Sequence, residues 1–117
     1  MQYLCLIYSS ESVGPKPGSA EFPAFMQGYQ EFTEEVKNNG MMVHADALQP
    51  VSTATTVTME NGKLEVTDGP FAETKETLGG YYLLECATLD EAIEQSAKIP
   101  TAKFGRIEIR PVMVWGS

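Results

Sequence analysis

Residues 78–91 read LGGYYLLECATLDE, and the fold turns on how they are read. From Leu78 to Ala87 the chain has strand character, with Tyr82, Leu84 and Cys86 on one side and Tyr81, Leu83 and Glu85 on the other. Both sides are largely apolar, as expected of a strand in the middle of a sheet. Thr88-Leu89-Asp90-Glu91 then has the spacing of a capping box, in which the Thr hydroxyl and the Glu carboxylate satisfy exposed N–H groups at a helix start. The spacing predicts a helix to about Ile99, ended by Pro100. Gly79-Gly80 lacks the pattern of a phosphate loop and instead suits the close approach of another backbone.

Working outward, Gly105 to Val114 sets Ile107, Ile109 and Met113 against Arg106, Glu108 and Arg110, a half-buried strand. At the other end of the chain, Gln2 to Tyr8 is a nearly continuous apolar run that reads as a second central strand. Ser9 to Ala20 carries Gly14, Pro15, Pro17 and Gly18, the composition of a loop. From Phe22 to Lys37 the residues Phe22, Phe25, Met26, Tyr29, Phe32 and Val36 recur at three- and four-residue steps and predict an amphipathic helix, with Gly40 at its C-terminal cap. Met41 to Leu48 and Ala54 to Glu60 read as strands. Asn61-Gly62 predicts a type I′ turn joining the second of them to Lys63 to Thr67, with one face of the hairpin wet or lining something polar.

The order is thus two β-α-β halves with extra strands between them. Right-handed crossovers place both helices on one face of an antiparallel sheet, an α+β fold of ferredoxin-like topology in a single domain, residues 1–117. One layer of helices leaves the opposite face of the two apolar strands uncovered. A second copy that covers it gives a homodimer, the dimeric α/β barrel.

The 117 residues carry 16 acids against 8 bases, a formal net charge of -8, which repels phosphate backbones and anionic headgroups. Nucleic acid and membrane are therefore not expected as partners. No leader-like pattern opens the sequence and no apolar run reaches membrane-spanning length, so a cytoplasmic protein is expected. Cys5 and Cys86 fall in apolar strand-like runs and are expected as two buried free thiols. A single His and no clustered Cys argue against a metal, and no motif calls for a cofactor.

Three residues are candidates for catalysis. Asp68 stands at a strand end beside a loop, where a carboxylate serves as a base or anchors a ligand; Asp68-Gly69-Pro70 is equally ordinary turn chemistry. His44, the only His, shares a strand face with Asp46, Met42 and Leu48 and forms with Asp46 a pair suited to proton transfer or simply exposed on a strand. Tyr29 lies on the apolar helix face, where a tyrosine is either a core residue or a pocket hydroxyl. Phe71, Lys75 and Tyr81 are the candidate ligand-binding residues, with Lys75 placed to balance Asp68 or hold an anion.

The segment from Val66 through Asp68-Gly69-Pro70-Phe71 to Glu76, followed by Leu78-Gly79-Gly80-Tyr81-Tyr82, closely resembles the signature of the YCII-related, or DGPF-motif, family. The Leu89-Asp90-Glu91-Ala92 helix start, Ile99-Pro100 and Glu108-Ile109-Arg110-Pro111-Val112 extend the resemblance over most of the chain. It implies a ferredoxin-like domain that forms dimeric α/β barrels, with a polar pocket between helices and sheet. Some members of the family resemble accessory proteins of extracytoplasmic-function sigma factors. Shorter members carry a His in the first helix and an Asp beside the Pro that ends the second. Tyr29 and Ile99 stand near those positions, so the His/Asp pair is absent, and Asp68 with Tyr29 is the substitute pair. Two function classes follow. One is a small cofactor-independent enzyme doing acid–base chemistry on a small organic molecule; the other is a non-catalytic accessory protein that binds a small-molecule ligand or regulates a partner.

Overall fold

The computed structural model describes residues 1–116. In chain order it contains β1 (Gln2–Ser9), α1 (Phe22–Asn38), β2 (Met42–Ala47), β3 (Thr55–Glu60), β4 (Lys63–Asp68), β5 (Thr77–Glu85), α2 (Leu89–Ser96) and β6 (Arg106–Pro111), with short 3-10 turns at Val51–Thr53 and Pro100–Lys103. Four strands form one antiparallel sheet in the order β2-β5-β1-β6, while among the described residues β3 and β4 pair only with each other. This is the α+β arrangement expected of two β-α-β halves, with β1 and β5 at the centre.

One face of the sheet carries the core. Tyr3, Cys5 and Ile7 of β1, Tyr82 and Leu84 of β5, and Cys86 just beyond pack against Phe32 and Val36 of α1, Ala92 of α2 and Ile99. Leu84, Ile99 and Val36 are fully buried, and each side chain of this kind stabilises by about 1.5–3 kcal/mol relative to exposure. Tyr82 sets its ring edge-on to Phe32 at 4.9 Å and bonds Thr33 Oγ1 through its hydroxyl at 2.7 Å. Both cysteines are free and buried.

The local signals behave as their chemistry requires. Gly40 takes a φ of +73° beyond α1, and Met41 N–H donates to the Val36 carbonyl at 2.9 Å, closing the helix with a Schellman bond. Asn61 and Gly62 both have positive φ, 49° and 77°, as a type I′ turn demands. Thr88 Oγ1 accepts from Glu91 N–H at 3.2 Å, and the Glu91 carboxylate accepts from Ala87 N–H at 3.0 Å, one residue earlier than the predicted reciprocal bond. A Cβ at Gly80 would lie 2.8 Å from the Asp46 carbonyl oxygen, so of the glycine pair it is Gly80 that admits the neighbouring strand β2.

Three expectations need correction. The last strand ends at Pro111 rather than Val114, which leaves Met113 66% exposed. α2 ends at Ser96 rather than near Ile99, because Pro100 holds Ile99 extended, with ψ 124°, and the chain must leave the helix beforehand. The strand face shared by Met42 and His44 does not exist. A β-bulge between them leaves Met42 opposite Leu84 on the core side and turns His44 to face Leu83 on the other.

Candidate functional site

The register of the four strands fixes what the helix-free face presents. Its first row runs His44, Leu83, Leu4, Arg110; its second Asp46, Tyr81, Leu6, Glu108; its third brings Tyr8 beside Leu78 and Arg106. Rows stand about 7 Å apart. The centre is apolar and aromatic, and both edges carry charge. Leu4, Leu6, Tyr8, Tyr81 and Leu83 are half-buried with no layer of helices over them.

The bulge in β2 builds a polar cluster on this face. In an unbroken ladder His44 would pair with Tyr82 toward the core; the extra residue Val43 shifts His44 and Asp46 to the open side. There Tyr81 and His44 stack, ring centroids 5.7 Å apart at 26°, and the Tyr81 hydroxyl lies 2.8 Å from His44 Nδ1. His44 Nε2 is 3.6 Å from the Asp46 carboxylate, an ion-pair distance longer than a hydrogen bond. When the Tyr81 O–H donates to Nδ1, Nε2 carries the ring proton toward Asp46. Phenol, imidazole and carboxylate then stand in line, an arrangement able to relay a proton.

Beyond the third row lie two clefts separated by Tyr8, Thr74 and Glu76, which line both. One, of about 540 Å³, is mostly apolar and is framed by the Leu48–Ala54 segment, Pro70, Phe71 and Leu78. The other, of about 720 Å³, is charged and holds Lys75, Glu76, Arg106 and Glu108. Arg106 Nε donates to the Glu76 carboxylate at 3.2 Å. A third cleft, of about 520 Å³, lies between α1 and the Pro100 turn. None of the six residues singled out from the sequence lines it.

The structure brings some of those six together and separates others. His44 and Tyr81 are bonded partners. Phe71 and Lys75 line the apolar and the charged cleft respectively. Tyr29 lies on the helix side of the sheet, opposite to His44, and its hydroxyl is 2.6 Å from Thr101 Oγ1. Burial pushes its pKa up, with the Thr101 bond pulling weakly the other way. Asp68 is exposed at the end of β4, paired with Thr55. The turn after it is braced by backbone groups and a threonine: Gly69 N–H donates to the Ala54 carbonyl at 2.7 Å, and Thr56 Oγ1 donates to the Gly69 carbonyl at 2.7 Å.

Tyr8 and Arg106, which line the clefts, are not among the residues singled out from the sequence. Tyr8 read as the end of a buried strand and Arg106 as the wet side of β6. The signal available was the antiparallel pairing of β1 with both β5 and β6, which stacks these positions in one row. Among the described residues no three His, Cys, Asp or Glu side chains gather in a way that would hold a metal ion. Among them, too, no helix is long and apolar enough to cross a membrane.

Comparison with known proteins adds two findings. A family model described as the YCII-related domain matches residues 1–116. An uncharacterized protein of Rhizobium meliloti (strain 1021) is 34% identical over 117 residues, covering 98% of this chain and 94% of the relative.

Proposed function

The chain belongs to the YCII-related domain family, and from that premise we propose that it is a small enzyme, working as a two-fold dimer, that moves a proton on a small organic molecule without a cofactor. The curated relative is itself uncharacterized, so the reading rests on the chemistry of the open face.

The observation that carries it is the hydrogen-bonded His44–Tyr81 pair with Asp46 beside it. A β-bulge costs a ladder position, and here it turns the chain's single histidine away from the core and onto a tyrosine. Imidazole is the side chain whose proton exchanges most readily near neutral pH. A phenol on one nitrogen and a carboxylate near the other orient the ring. The cluster is half open in a lone protomer, with His44 and Asp46 side chains 58% and 65% exposed. A second copy packed on the apolar centre of the face would cover Leu4, Leu6 and Leu83 and exclude water from these groups. Lower local dielectric strengthens charge-dependent chemistry at such a site.

Proton transfer to carbon is tested directly in D2O. A panel of small keto acids, enols and phenols is followed by proton NMR for enzyme-dependent exchange of acidic C–H positions. At least one member is expected to exchange, and His44→Gln and Tyr81→Phe are expected to slow that exchange by about 10²–10⁴-fold while leaving the fold intact. A second reading is a non-catalytic binding or regulatory protein, favoured by the apolar cleft beneath Phe71. Panel members that stabilise the protein but show no exchange would leave that second reading in place of the first, and exchange indifferent to His44 would contradict the assignment of the reaction to this cluster.

A further inference from the structure

The two clefts on either side of Tyr8, Thr74 and Glu76 differ sharply in character, and the difference defines a ligand. The apolar cleft is walled by Leu48, Pro50, Val51, Pro70 and Leu78, with the Phe71 ring at its edge left 90% exposed. A large aromatic ring held in water beside an apolar hollow gains burial when something fills the hollow. Its neighbour carries two bases, Lys75 and Arg106, and two acids, Glu76 and Glu108. Arg106 meets Glu76 through Nε, which leaves the terminal guanidinium nitrogens free to donate. Tyr8, Thr74 and Glu76 belong to both walls, so the two clefts are immediate neighbours.

We infer that the paired clefts form one site for a zwitterion with an apolar side chain, of the α-amino-acid type. Its carboxylate pairs with Arg106 and Lys75, its ammonium with Glu108 and Glu76, and its side chain fills the hollow beside Phe71. The charge pattern selects this class over its nearest relatives. A plain carboxylic acid brings one negative charge toward two carboxylates on a chain whose net charge is already -8. A plain amine brings another positive charge beside Lys75, and beside an Arg106 whose Glu76 partner it would have to share. A ligand carrying both charges neutralises the set without adding to the field. The inference concerns binding only and stands apart from proton transfer at His44.

Four probes separate the possibilities by thermal shift and by titration calorimetry on the full chain: L-phenylalanine, 3-phenylpropionate, 2-phenylethylamine and glycine. L-phenylalanine at millimolar concentration is expected to raise Tm by about 2–5 °C, with each one-charge analogue and glycine giving less than half that shift. Arg106→Gln is expected to weaken L-phenylalanine binding about ten-fold or more. Arg106 is 79% exposed along its side chain, so the change leaves the fold in place. Phe71→Ala, at a position more exposed still, is expected to bring L-phenylalanine down to the level of glycine. Binding of 3-phenylpropionate or 2-phenylethylamine as tight as that of L-phenylalanine overturns the inference. So does the absence of any L-phenylalanine shift, or a shift indifferent to both variants.

Discussion

Cys5 and Cys86 lie under the helices at 0% and 2% exposure, Cys5 accepting a 3.4 Å hydrogen bond from Ser96 Oγ. Burial raises the pKa of both thiols; the Ser96 bond opposes this weakly at Cys5, while the charge of Glu91 adds to it at Cys86. In the unfolded chain a thiol ionises around its ordinary value of 9.0. Below that pH both states hold the proton and these groups add no slope. Above it the unfolded chain releases protons that the folded chain keeps, so stability falls with rising pH until the folded thiols titrate as well. Tyr29 and Tyr82, also raised by burial, extend the fall beyond pH 10. Urea unfolding is therefore expected to give a level free energy from about pH 7 to 8 and a decline from about pH 9, lessened in Cys5→Ala. A level profile to pH 10 would contradict the assignment. The burial of both thiols was legible in the sequence because each sits in an apolar run. The bonding of Tyr81 to His44 was not, because it depends on which residues the ladder sets opposite each other.

At the scale of elements, α2 is short, eight residues, and its start is fixed by two side-chain bonds rather than by length. Thr88→Ala removes the acceptor for Glu91 N–H and is expected to cost about 1 kcal/mol, read as a lower urea midpoint with an unchanged m-value. Restoring most of the loss with Thr88→Ser would confirm that the hydroxyl is responsible. Elements with strong local chemistry were readable in this way: the Thr88 cap, the Asn61-Gly62 turn and the stop at Gly40 each depend on residues next to one another. The bulge in β2 was not readable, since one extra residue in a strand is set by its partner β5 and leaves no mark on the alternation of Met42 to Ala47. The same distance in sequence hid the third row of the open face, where Tyr8, Leu78 and Arg106 come from three separate strands. The hairpin β3–β4 shows a related limit. Its alternation reads as one wet face, yet the apolar face is uncovered too: Val57, Met59, Leu64 and Val66 are all about 60% exposed rather than packed on their own sheet.

The whole molecule is flat, 48 × 48 × 18 Å, with a radius of gyration of 16.4 Å where a compact chain of this length has about 13 Å. One sheet with helices on one side accounts for the thinness, and the free-standing hairpin adds to the breadth. Uncovered apolar groups therefore gather on the helix-free face, along the hairpin and at Trp115, which is 82% exposed. An apolar centre with a charged rim has the anatomy of a surface made to meet another. A standard stable interface buries about 1,600 Å² in total, a small demand on a face of these dimensions. The proposal that a second copy covers it ties the fold to the chemistry, because the same contact would shield His44, Tyr81 and Asp46. Leu6 stands at the middle of that face, so Leu6→Arg places a charge where the two copies would meet while leaving the core side of β1 untouched. The decisive measurement is the molar mass in solution by light scattering, taken across a hundred-fold range of concentration for the native chain and for Leu6→Arg. The account predicts twice the 12.8 kDa chain mass for the native protein and a shift toward a single chain for the variant. A native species that stays at 12.8 kDa throughout would contradict it.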